Sequence, residues 1–199
     1  MADLELPVAA LWNHRRGELL CEDGSYKLMF AIEPRSGVMV TMLPGSAATA
    51  QEGTLCIPED GYDSLQMQVL IVPFNEDEAG AAADRFTAYH GTGHRGMWCR
   101  LEPIGGKIAG VVLDPSDMPL VHPLAESEGR LLKLLNADRV RLSAVVNARL
   151  GAELHEILAV GIDPRGIDLR CREGVRRVTF VKFAEDPAVA EGRIRDLLG

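Results

Sequence analysis

Between residues 26 and 113 the chain is cut into short runs of β-forming residues, with one helix-like segment among them. Residues 26–33 and 38–43 read as strands joined by the turn Pro34-Arg35-Ser36-Gly37, and 54–58 as a third strand. In residues 65–72 the side chains of Leu65, Met67, Val69 and Ile71 share one face and Gln66 and Gln68 the other, so this strand starts half-exposed and ends more buried. Two further strands, 97–102 and 107–113, lie either side of Pro103-Ile104-Gly105-Gly106. The helical segment has Asn75 as its N-cap, Glu78 at the capping-box position, Ala79, Ala82, Phe86 and Tyr89 as an apolar stripe, and His90-Gly91 as its end. A parallel sheet needs a long crossover between successive strands, so six strands with one late helix predict a small antiparallel barrel.

On either side of this region the pattern is helical. Residues 6–20 suggest a short helix with Val8, Leu11, Trp12 and Leu19 roughly on one side. Its charged end, His14-Arg15-Arg16, is read as cations favoured by the helix dipole rather than as an anion site. Residues 114–125, with Pro115, Pro119 and Pro123, are the expected linker. One long helix is predicted over 127–150, burying Leu131, Leu135, Leu142, Val145 and Val146 and stopping at Gly151. Three strands are expected near 156–162, 167–172 and 175–182. Asp186-Pro187 then opens a final helix that turns Val189, Ile194 and Leu197 inward. The fold class is therefore α+β, in two parts at residues 1–115 and 124–199.

Composition narrows the function classes. A chain of 199 residues that is 47% hydrophobic can build a real core, and 25% charged residues without a low-complexity tract argues against disorder. No apolar run is long enough to cross a bilayer, and an acidic Met-Ala-Asp-Leu-Glu-Leu start is unlike a secretory signal, so a cytoplasmic protein without a membrane partner is expected. A net charge of −8 argues against a general nucleic-acid partner. Cys21, Cys56, Cys99 and Cys171 form no C-x-x-C pair and read as free thiols in a reducing compartment.

Candidate chemical groups are few. His90 and His94 have H-x-x-x-H spacing, but Gly91 and Gly93 between them disfavour a helical metal-ligand pair; a histidine capping a helix end is the preferred reading. His122 reads as structural, and His155 has no partner identifiable by spacing. Asp163 and Asp168 flank Pro164-Arg165-Gly166 and are read as turn residues rather than an acid–base pair. Arg170, Arg172, Arg176 and Arg177 crowd one hairpin and are read as a solvated face. Asn136 and Asp138 fall in mid-helix, where polar groups need partners if buried, and are expected to link the helix to the hairpin. No Ser–His–Asp or Cys–His arrangement, P-loop or dinucleotide fingerprint is present.

The order of several segments resembles a known family. Asp84-Arg85-Phe86-Thr87-Ala88-Tyr89-His90 resembles a family helix that ends in histidine, and Arg100-Leu101-Glu102-Pro103 with Ala109-Gly110 resembles the strand pair closing its barrel. Residues 131–139, followed by 160–170 and 176–180, resemble the small α/β domain behind that barrel. The family is the flavin-binding split-barrel superfamily, similar to pyridoxamine 5′-phosphate oxidase, in its haem-utilisation and glutamyl-tRNA reductase-binding branch. The resemblance implies an antiparallel split β-barrel at 1–115 and a helix-plus-β-hairpin domain of the haem-utilisation type at 124–199. It also implies a homodimer holding flavin mononucleotide, or haem, in a groove between subunits. The implied function is a flavoprotein, an oxidoreductase linked to haem or redox metabolism. The alternatives are a non-catalytic homodimeric regulatory protein that binds a protein partner and has lost the cofactor, and a haem binder using His90 or His94. Thr41 matches a phosphate-binding serine of the family, with Lys27 or Arg16 as the cation and Ser46 and Thr49 as further hydroxyls; Gly110 would lie near the ring. Departures are visible too: residues 40–49 lack the family's His and Asn, Val111 and Val112 follow Gly110, and Leu134 and Arg139 stand where histidines flank Asn-x-Asp.

Overall fold

The computed structural model describes residues 5–61 and 63–199. The N-terminal Met1–Leu4 and the side chains of Val8 and Ala79, assigned above to a chain start and to apolar faces, lie outside the described residues. The first unit is built on β1 (Arg16–Cys21), β2 (Gly24–Ile32), β3 (Met39–Leu43), β4 (Glu52–Ile57), β5 (Leu65–Pro73), β6 (Met97–Ile108) and β7 (Val111–Leu113). The strands run in the order β3-β2-β1-β4-β5-β6-β7, all antiparallel, and β3 also pairs with β6. Six strands thus close into a barrel, with β7 a further strand on β6. Closure removes the free edges that an open sheet would expose. Alternation decides the inside: Leu19, Phe30, Met39, Leu43, Leu55, Leu65, Met67 and Leu101 are fully buried in one cluster. On β5 the burial alternates through its first seven residues as the sequence pattern predicts.

Two expectations for this unit change. The helix expected over 6–20 is α1 (Glu5–Asn13), and the residues behind it form β1. Arg15 ends α1: its guanidinium is buried and donates to the carbonyls of Leu11, Trp12 and His14. Chain reversal there places Gly17 against β4, where a Cβ would lie 2.7 Å from the Cys56 carbonyl oxygen, so glycine permits the close pairing. The strand expected over 97–102 runs on through Pro103 to Ile108 as β6, and the one expected over 107–113 is divided between the end of β6 and β7. A register shift opposite Gln68 and Val69 accommodates the proline, which has no N–H for the ladder, and Ile104 is left out of the pairing and exposed.

A short helix, α2 (Gly45–Thr49), follows β3, and the helical segment expected after β5 divides at Gly80 (φ +46°) into α3 (Glu76–Ala79) and α4 (Ala81–His90). Asn75 precedes α3 but its side chain makes no capping hydrogen bond; its carbonyl accepts from Glu78 N–H. Gly91 (φ +81°) ends α4, donating to the Thr87 carbonyl.

The second compact unit comprises His122–Gly199 and the last turn of α4, Ala88–His90. It contains α5 (Glu128–Leu135), α6 (Arg139–Leu150), a sheet of β8 (Leu158–Asp163), β9 (Gly166–Cys171) and β10 (Gly174–Thr179), and α7 (Pro187–Leu198). The sheet has three antiparallel strands in the order β10-β9-β8. The single helix expected over 127–150 is broken by a 3₁₀ turn at Asn136–Asp138. Side-chain chemistry explains the break. Asn136 donates to the Ala159 carbonyl and accepts from the Ala159 N–H, both at 2.9 Å, while Asp138 caps α6 through Arg141 N–H. Asn136 thereby links helix to sheet. Asp186 caps α7, Ile194 is buried and Leu197 half-buried against the core as expected, but Val189 is exposed and Ala190 is buried instead.

Candidate functional site

Two clefts and one buried charge cluster carry the chemistry of the described residues. The first cleft is formed on the outer face of the barrel, where antiparallel register sets Arg16 opposite Met29 and Glu18 opposite Lys27. Arg16 and Lys27 are therefore diagonal neighbours on one face. Both line a cleft of 460 Å³, together with Gly17, Leu28, Met29, Pro58 and Glu59. Lys27 Nζ lies 3.8 Å from Glu59 Oε1, and both side chains are exposed, so this pairing contributes about 0–1 kcal/mol.

Thr41 and Gly110 do not share that cleft. Thr41 alternates with Val40 and Met42, points into the barrel with no exposure, and donates its hydroxyl to the Met29 carbonyl at 2.7 Å. Gly110 (φ +83°) follows Ala109 (φ +47°) in the two-residue turn joining β6 to β7, a geometry in which both central residues need positive φ. Ser46 lies 3.1 Å from the Tyr26 hydroxyl, and Thr49 donates to the Ser46 carbonyl, so both hydroxyls have local partners.

A second cleft, of 170 Å³, lies at the end of α4 and is lined by Met42, Glu76, Phe86, His94 and Trp98 and the loop Gly91-Thr92-Gly93. Its wall is aromatic. Phe86 meets Trp98 edge-on at 5.3 Å and His94 edge-on at 5.6 Å. Phe74 stacks on Trp98 at 6.2 Å, and the Arg100 guanidinium lies 5.2 Å from the Phe74 ring centre. The apolar stripe of α4 pointed to Phe86, but Trp98 and His94 join it through strand pairing and loop closure that local pattern does not reveal.

In the second unit the arginines part company. Arg172 and Arg176 are exposed, as expected of a solvated face. Arg177 is not: its side chain is 9% exposed and reaches Asp168 Oδ1 at 2.8 Å and Asp163 Oδ1 at 2.7 Å. Asp163 also accepts from Arg165 N–H, the turn role read from sequence, and Asp168 accepts from the Tyr89 hydroxyl at 2.9 Å. Arg170 donates to the Ala88 carbonyl. Register creates the cluster, since Arg177 is paired directly with Asp168 across the β9–β10 hairpin. Gly166 permits that pairing: a Cβ would lie 2.4 Å from the Val178 carbonyl oxygen.

Other candidates have structural partners. His122 Nδ1 accepts from Leu124 N–H. His155 lies against Glu173, with ring Nδ1 2.9 Å from Oε1 and its backbone N–H donating to Oε2. Those two contacts, the ring contact foremost, pull the Glu173 carboxyl from 4.5 down to about 2. A carboxyl whose folded value is depressed adds stability that is full above its unfolded value and fades as pH falls through the folded one. The thermal midpoint of Glu173→Gln should therefore fall below that of the parent at pH 6, and the two should converge as pH drops from 4.5 towards 2. Thermal melts across that range check it; a constant gap down to pH 2 contradicts it.

Cys56 and Cys99 are buried, and burial pushes both thiols up to about 11, with Asp60 adding to the effect at Cys56. No group of three or more His, Cys, Asp or Glu side chains suited to a metal ion occurs among the described residues. His90 ends α4, its ring 6.1 Å from that of Tyr89. Among the described residues no helix is long and apolar enough to cross a membrane.

No family model matches the chain, and no curated protein matches it. A solved structure does. The chain is similar to Atu2129 from Agrobacterium tumefaciens, a protein of unknown function, with 17% identity and a TM-score of 0.68 over 98% of this chain and 95% of that one. At that identity the likeness concerns the fold alone. A second solved structure covers 59% of this chain at 20% identity and a TM-score of 0.40, too low to carry an argument.

Proposed function

We propose that the barrel is a binding module for a phosphorylated, flat cofactor of the flavin mononucleotide kind, held by the Arg16–Lys27 cleft. The observation that carries this reading is the convergence of two exposed cations, eleven residues apart in sequence, on one cleft of 460 Å³. That volume falls within the range of about 300–1,000 Å³ found for small-molecule sites. A phosphate monoester carries about two negative charges, and Arg16 and Lys27 match it in number. Glu59 opposes it, but an exposed ion pair is weak enough for a dianion to displace. Leu28, Met29 and Pro58 supply apolar surface for the rest of the ligand. Bound flavin would supply the electron chemistry, and the barrel's part would be position and charge.

Titration of the protein with flavin mononucleotide and with riboflavin, read by quenching of flavin fluorescence, tests the proposal. Flavin mononucleotide should bind at least about tenfold more tightly than riboflavin, the loss expected for one charge-assisted contact. Arg16→Ala with Lys27→Ala should abolish that preference. Equal binding of the two flavins, or no quenching by either, would overturn the reading.

A further inference from the structure

The aromatic cleft at the end of α4 is separate in residues and in chemistry from the Arg16–Lys27 cleft. At 170 Å³ it is too small for a nucleotide-sized ligand but has room for a compact headgroup. Trp98 and Phe86 meet at 82°, so they form a corner rather than a stack, and Met42 extends the soft, polarisable wall. Each ring carries a partial negative charge on its face. Among the described residues that line it, the cleft has the Glu76 carboxylate and the His94 ring but no lysine or arginine. Neighbouring rings already hold one cation in this way, since Arg100 sits over Phe74 and Phe74 stacks on Trp98. The loop opposite leaves space: a Cβ built on Gly91 or Gly93 meets nothing within 4 Å.

We propose that this cleft binds a compact organic cation, a quaternary or methylated ammonium headgroup. Ring faces attract such an ion electrostatically, and its methyl groups lose little hydration on entering an apolar corner. Glu76 adds charge complementarity at the mouth. An anion would meet like charge from the Glu76 carboxylate, and a neutral apolar group would gain burial but leave that carboxylate unmatched.

Choline and its uncharged carbon isostere, in which a tert-butyl group replaces trimethylammonium, separate these cases. Calorimetric titration of the full chain should show choline binding roughly twofold to thirtyfold more tightly than the isostere. In nuclear magnetic resonance spectra the Trp98 indole N–H should shift on choline addition and saturate. Glu76→Gln, a surface change, should weaken choline about twofold to fivefold and leave the isostere unchanged. Trp98→Leu should remove the preference for the charged ligand. Equal affinity for the two ligands, an unchanged preference in both variants, or no saturable binding of choline would overturn the proposal.

Discussion

Arg177→Ala should destabilise the protein by about 3–5 kcal/mol, the usual cost of removing one partner from a buried ion pair. The magnitude follows from what the substitution leaves behind. Asp163 and Asp168 are each 2% exposed, and both take a guanidinium nitrogen from the same arginine. Without Arg177, two buried carboxylates on adjacent strands lose the guanidinium they share, with little water to screen them. Tyr89 can stabilise one of them through its hydroxyl, but it brings no positive charge. Adding Asp163→Asn and Asp168→Asn to Arg177→Ala should recover part of the loss, because buried amides carry no net charge. Denaturant unfolding followed by circular dichroism gives both numbers. A loss below about 1 kcal/mol for Arg177→Ala, the size typical of an exposed pair, would show that water reaches the cluster.

Phe30→Ala should cost the barrel about 3–5 kcal/mol, the range for removing a buried aromatic side chain. Phe30 has no exposure and lies on the inward face of β2, where neighbouring positions of β1 and β3 hold its strand from both sides. A closed barrel cannot collapse around the void by sliding one strand, because each strand is hydrogen-bonded on two sides. Val112→Ala is the control. That residue is 81% exposed on β7 and its truncation should change stability by about 0.5 kcal/mol or less. The same unfolding experiment distinguishes them; equal effects would contradict the assigned interior.

Periodicity carried the architecture well where side chains alternate along one strand, as in β5, whose inward Leu65, Met67, Val69 and Ile71 are buried as the pattern requires. It failed at β1, since Arg16-Gly17-Glu18-Leu19-Leu20-Cys21 offers too few apolar residues to separate a strand from a helix end. It failed again at Asn136, where one side chain holds a strand backbone 23 residues away and breaks a helix that local propensity would continue. Lys27 and Arg16 were legible as cations in the sequence; their shared cleft was not, because it depends on β1 pairing with β2 in one register.

Local sequence therefore determined the α+β class, the antiparallel character of the first region, and most element positions. These depend on spacing within a few residues, which the chain displays directly. Tertiary structure alone decided which strands close the barrel, which of four hairpin arginines is buried, and which rings meet at the end of α4. Those outcomes depend on register between distant segments, and a shift of one residue would send every side chain to the opposite face.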